Sequence, residues 1–242
     1  MIDRLPLLAV LALASLPAVA APPASRNYGV SGFDRIRVDG PYEVNLKTGV
    51  APFARASGRN NAAVDSVSIK VEGRTLVIRR DSSSGWGGYT GQSTGPVVID
   101  IGTHDLTTAW LNGAGSLTID KVKGLSFDLN IEGAGVARID AVAVDQFRIS
   151  ASGAGTARLA GKTLKTTALA RGSVNIDAQG LSAKDAIITA EGPSIVRLTA
   201  SDTAKINAFG IAAVTLSGEP SCTLRVQGSA SVSGCKAGSD QR

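Results

Sequence analysis

The sequence is poor in the residues that most chemistry requires. Its 242 residues include one histidine, two cysteines and one methionine, and aromatic residues make up only 4% of the chain. The lone His104 lies between a strand-like segment and the first repeat, where a solvent-facing or capping role fits better than catalysis. No HExxH or P-loop sequence occurs, so the common zinc-metallohydrolase and nucleotide motifs are missing. Cys222 and Cys235 lack CxxC spacing and a histidine cluster, which argues against a metal or redox site. The balance of 25 basic and 20 acidic residues leaves a net charge of only +5. With so few aromatics, this argues against a nucleic-acid surface. After the first twenty residues, no stretch is apolar enough to cross a membrane as a helix.

Glycine, alanine and small aliphatics are abundant, and they are periodic. One phrase returns seven times: NGAGSLTID from Asn112, EGAGVARID from Glu132, SGAGTARLA from Ser152, RGSVNIDAQ from Arg171, EGPSIVRLT from Glu191, FGIAAVTLS from Phe209 and QGSASVSGC from Gln227. The leading glycines, Gly113, Gly133, Gly153, Gly172, Gly192, Gly210 and Gly228, lie 20, 20, 19, 20, 18 and 18 residues apart. Such a period marks a solenoid. Between the glycines the alternation has period two, as in Phe127, Leu129 and Ile131 against Asp128, Asn130 and Glu132, which specifies strands. The leucine-rich-repeat frame is missing. The sequence therefore predicts an all-β, right-handed parallel β-helix of seven to ten coils, with about 18–20 residues per coil. Two inward columns are expected: Leu117, Ala137, Ala157, Val174, Val196, Val214 and Val232, beside Ile119, Ile139, Leu159, Ile176, Leu198 and Leu216. Such a narrow aliphatic interior explains how 43% of the chain can be hydrophobic with so few aromatics.

Residues 1–20 read as a signal peptide, with Arg4, an apolar run from Leu5 to Leu16, and the small residues Ala18-Val19-Ala20 before the expected cleavage. Residues 21–31 read as a linker, 32–235 as one β-helix domain and 236–242 as a tail. Export makes a Cys222–Cys235 disulfide the simplest use of two cysteines, since stacking sets Cys235 over Ser217, one corner from Cys222. From Phe33, alternating residues and the turn Asp39-Gly40-Pro41 predict strands. Others are expected at Phe53 to Ala56, Val67 to Val71 and Leu76 to Ile78.

The opening FDRIRVDGPYEVNLKTG, the pair VSIKVEGRTLVIRR and the recurring GAG corners resemble the GIN-domain family of autotransporter-adhesin head domains. The resemblance runs from about Phe33 to Gly234. It implies a bacterial envelope or secreted β-helix, located in the periplasm, on the surface or outside the cell, without an established activity.

Two sets of residues are candidates for binding. Arg138 and Arg158 are expected on adjacent coils, with Thr118 before them and Asn175 and Arg197 after, as a strip for acidic polysaccharide or lipopolysaccharide. Asp120, Asp140 and Asp177 form the neighbouring column that can neutralise it. Trp86 and Tyr89, in the Gly/Ser-rich loop from Asp81 to Pro96, and the outward Trp110 can stack on sugar rings or anchor another envelope protein. The resulting expectation is a non-catalytic adhesin-like binding or scaffolding module without cofactor or metal. A β-helix carbohydrate-active enzyme of the polysaccharide-lyase kind is one alternative, because stacked acids and bases occur. The uniform ladder, however, shows no coil departing from the pattern to build a cleft. A purely structural spacer is the other.

Overall fold

The computed structural model describes residues 24–81 and 95–237, and the backbone of 240–241. The expected signal peptide lies outside the described residues, as do Trp86 and Tyr89. The chain forms β1 (Ala24–Tyr28), β2 (Arg35–Asp39), β3 (Glu43–Thr48), β4 (Phe53–Gly58), a short helix α1 (Asn61–Asp65), β5 (Val67–Glu72), β6 (Thr75–Arg80), β7 (Val98–Thr103) and β8 (Thr108–Gly113). The repeats come next as β9 (Ser116–Gly133), β10 (Val136–Gly153), β11 (Thr156–Gly172), β12 (Asn175–Glu191) and β13 (Ile195–Gly210). The last elements are β14 (Ala213–Ser217), β15 (Ser221–Gly228), β16 (Ser231–Ser233) and β17 (Asp240–Gln241). All the strands belong to one sheet, which winds into a β-solenoid of about six turns.

From β8 onward each coil pairs in parallel with the next. Within a coil the inward alternation is interrupted twice, between Ile119 and Val122 and again between Val122 and Phe127. These breaks divide the coil into three straight runs, so each repeat presents three faces. The glycine corner separates one coil from the next. Gly133 and Gly153 have φ of +105° and +98°. A Cβ on either would lie 2.8 or 2.7 Å from the carbonyl oxygen of the glycine one coil below, so this corner requires glycine for both its backbone angle and its close approach.

The inward columns are those expected, with one slip. Ile176, rather than Val174, faces Ala157 and Val196, and Ala178 faces Leu198. Val174 instead occupies the second corner position, where Gly135 and Gly155 stand in earlier coils. That position also points inward, so a buried valine there looks in sequence like the start of the strand.

The number of turns falls short of seven because residues 49–107 do not wind onward. Strands β2 and β3 pair in parallel with β8 and β9, and the chain then runs back past them. It lays β6 on the free edge of β2 and β7 on the free edge of β3. The turn Asp39-Gly40-Pro41 is thus a coil corner, with the Gly40 N–H donating to Asn112 O at 3.0 Å. Strands β5, β4 and β1 close this end by antiparallel pairing.

Part of the segment read as a linker therefore belongs to the fold, since Ala24–Tyr28 is strand β1. Its side chains are mostly exposed, so it carries no alternation signal. It is held by its ladder with β4 and by the Tyr28 hydroxyl, which donates toward Val67 O at 3.1 Å. At the other end, Cys222 and Cys235 are disulfide-bonded with their Cα atoms 5.8 Å apart.

Candidate functional site

Because inward positions fill the interior, recognition must use the outward columns. On the face beyond the glycine corner, one column runs Thr118, Arg138, Arg158, Asp177, Arg197 and Thr215. The structure confirms that Arg138 and Arg158 are neighbours but corrects the later part of the column. Asn175 lies two residues off it, and Asp177 stands between Arg158 and Arg197. The cause is the slip at Val174.

The expected acidic column is divided as well. Asp140 accepts from Arg138 Nε at 2.6 Å, whereas Asp120 accepts from the backbone N–H of Thr48 at 2.9 Å and ties the cap to the solenoid. Among the described residues, no carboxylate lies within ion-pair distance of Arg158 or Arg197. Asp177 is the ladder neighbour of both, one strand spacing away along the backbone, about 4.8 Å.

Trp110 lies on a different face. It is the half-buried outward residue between buried Ala109 and Leu111, and its ladder neighbours are Arg37 and Asn130. Beyond Arg37 comes Val77, outward in alternation yet only 7% exposed. Here the β5–β6 hairpin joins the face and makes a groove of about 380 Å³, lined by Arg37, Glu72, Thr75, Val77, Trp110, Asn112 and Glu132. Most of its charges are already engaged. Arg37 Nε donates to Asp39 at 3.0 Å, the Asn112 amide donates to Asp39 at 2.6 Å, and Glu72 pairs with Arg79 at 3.4 Å.

The sequence identified Trp110 but none of its partners in this groove. One signal was available: Val38-Asp39-Gly40 repeats the pattern of Leu111-Asn112-Gly113, and aligning these corners places Arg37 beside Trp110.

A shallower groove of about 550 Å³ runs along the corner of Asp145, Leu164, Lys184 and Asp202, where Lys184 pairs with Asp202 at 3.6 Å. His104 is exposed, and its carbonyl accepts from the Gly49 N–H at 2.9 Å. Burial pushes the phenols of Tyr28 and Tyr42 above their ordinary value, with Arg26 and Arg80 respectively opposing the shift. Both lie in the cap region, away from the arginine column. Among the described residues, no group of three or more His, Cys, Asp or Glu side chains could hold a metal ion, and no helix is long and apolar enough to cross a membrane.

Fold and surface together define a parallel β-solenoid that displays flat ladders of exposed side chains. The family model described as "Putative auto-transporter adhesin, head GIN domain" matches residues 32–220, and the chain belongs to that family. The fold is also that of several crystal structures. A "putative adhesin" from Bacteroides fragilis superposes with a TM-score of 0.73 at 19% identity, covering 87% of this chain and 96% of that one. A "putative lipid binding protein" from Parabacteroides distasonis gives 0.67 at 19% identity, with coverage of 87% and 95%. A "putative adhesin" from the same organism gives 0.65 at 17% identity, with coverage of 87% and 96%. None of the curated proteins matches the chain in sequence.

Proposed function

We propose that the protein is an exported, non-catalytic binding module of the adhesin kind, which holds acidic polysaccharide or lipopolysaccharide against its arginine column. The observation that carries this reading is the pair Arg158 and Arg197. Each guanidinium stands on a flat parallel ladder without a carboxylate at ion-pair distance, so each can engage an anionic group from solvent. Membership of an adhesin family supports the class of function. The ladder repeats at the strand spacing of about 4.8 Å, which lets an extended chain lie along the solenoid axis and meet successive coils.

Arg138 contributes less, because Asp140 already occupies its Nε. The test is retention of the purified protein on a heparin column and on immobilised lipopolysaccharide. The double variant Arg158→Ala/Arg197→Ala is expected to elute at clearly lower salt than the native protein, and Arg138→Ala to shift elution less. Elution unchanged in the double variant overturns the assignment of the arginine column.

A further inference from the structure

The groove beside Trp110 has a different chemistry from the arginine column, and we infer that it takes one pyranose unit of a neutral or amino-bearing glycan and rejects uronates. This rests on the reading of the protein as a glycan-binding module and assigns it a second site. The groove's volume, about 380 Å³, falls in the range of small-ligand sites, roughly 300–1,000 Å³. One wall is an indole, and buried Val77 supplies further apolar surface. An aromatic ring with a polar N–H suits the mixed surface of a sugar, whose C–H face packs on the ring while its hydroxyls turn to polar neighbours.

The polar groups left over decide the class of sugar. Arg37 and Asn112 are both held by Asp39, and Glu72 is held by Arg79. Among the described residues, the Trp110 N–H and the Glu132 carboxylate have no protein partner, so the one charge left unpaired in the groove is negative, beside the Nη donors of Arg37 and the Thr75 hydroxyl. A sugar hydroxyl or ammonium can donate to Glu132, whereas a uronate would bring a second carboxylate to it without a free cation between them. The β5–β6 hairpin gives the groove its concavity, while the arginine column lies on the flat face across the glycine corner.

Two measurements test this. In a Trp86→Phe background, which leaves Trp110 as the remaining one of two tryptophans, fluorescence is titrated with oligomers of N-acetylglucosamine, glucosamine and galacturonic acid. A saturable change is expected with the first two and none with the third. Calorimetry with the binding oligomers then compares Trp110→Ala, expected to weaken binding about tenfold or more, with Trp110→Phe, expected to stay within about threefold. Glu132→Gln should remove the preference for glucosamine over its N-acetylated form.

Equal or better binding of the galacturonate oligomer, no binding of either amino-sugar oligomer, or a Trp110→Ala variant that binds like the native protein overturns the inference. The two sites fail separately. Heparin retention that depends on Arg158 and Arg197 while Trp110 has no effect leaves the arginine column standing alone. Trp110-dependent binding of neutral oligomers without heparin retention leaves only the groove.

Discussion

The two halves of the solenoid fill the same cross-section in opposite ways. In the first coils the position before the corner holds Leu111 and Ile131, and the corner position beyond it is glycine. A Cβ on Gly135 or Gly155 would come within 2.7 or 2.8 Å of the side chains of Leu111 and Ile131. In the later coils the first position shrinks to Ala151, Ala170, Ala190 and Ala208, and the corner enlarges to Val174, Ser194 and Ala212. The apparent decay of GAG into GSV, GPS and GIA is thus a volume exchange between stacked coils, as close packing requires. A second column tapers in parallel, from Phe127 and Phe147 through Thr166, Ala186 and Ala204 to Cys222.

The ends differ accordingly. The front closes with antiparallel strands and stacked phenylalanines, their ring centroids 6.0 Å apart, and the back with short strands and a disulfide. A repeat too thin at its end to hold itself by burial is held by a covalent bond.

The most severe break removes the shared principle from both halves. Ile139 is 1% exposed among aliphatics, so Ile139→Asp buries an unpaired charge costing several kcal/mol. The expected result is no folded solenoid, read as loss of the strand signal in circular dichroism. Next, Phe147→Ala opens a cavity in the front half and should cost about 3–5 kcal/mol, measured by denaturant unfolding as a lower midpoint for the whole array. Replacing both cysteines by alanine should cost about 3 kcal/mol on the loop-entropy account. Its signature is local, with hydrogen exchange rising in β14–β16 while β9 and β10 stay protected.

The volume exchange has its own test. Gly155→Val should destabilise by about 1–3 kcal/mol through overpacking, and much of that penalty should vanish when Ile131→Ala is already present. Additive effects of the two changes would show that the corner and its neighbour do not share the space. The smallest effect is a gain. Thr166 is fully buried with its hydroxyl unpaired, so Thr166→Val should raise stability by about 1 kcal/mol, seen as a higher melting temperature.

The repeat, its strands and the outward aim of Trp110 were legible because they arise from a local alternation of period two and a recurrent glycine. The Cys222–Cys235 bond was legible for the same reason, since a fixed period converts sequence distance into stacking distance. The slip at Val174 was not resolved, because the inward alternation continues through the corner and a valine there resembles the first residue of a strand. That two-residue ambiguity moved Asp177 into the arginine column and changed its charge pattern. The partners of Trp110 were hidden for another reason. Arg37 could be placed by aligning the Gly40 and Gly113 corners, but Glu72, Thr75 and Val77 come from the β5–β6 hairpin, and nothing in the local pattern says that the chain will turn back and lay β6 beside β2.

The sequence alone determined the coil, because period-two alternation interrupted by glycine at a near-constant spacing leaves stacking as the way to bury an aliphatic face. Only the tertiary structure decided where the coil is closed and where its surface becomes concave. Those features arise from pairings between distant strands, whose register is set by the free edges the solenoid presents and by the fit of corner to corner.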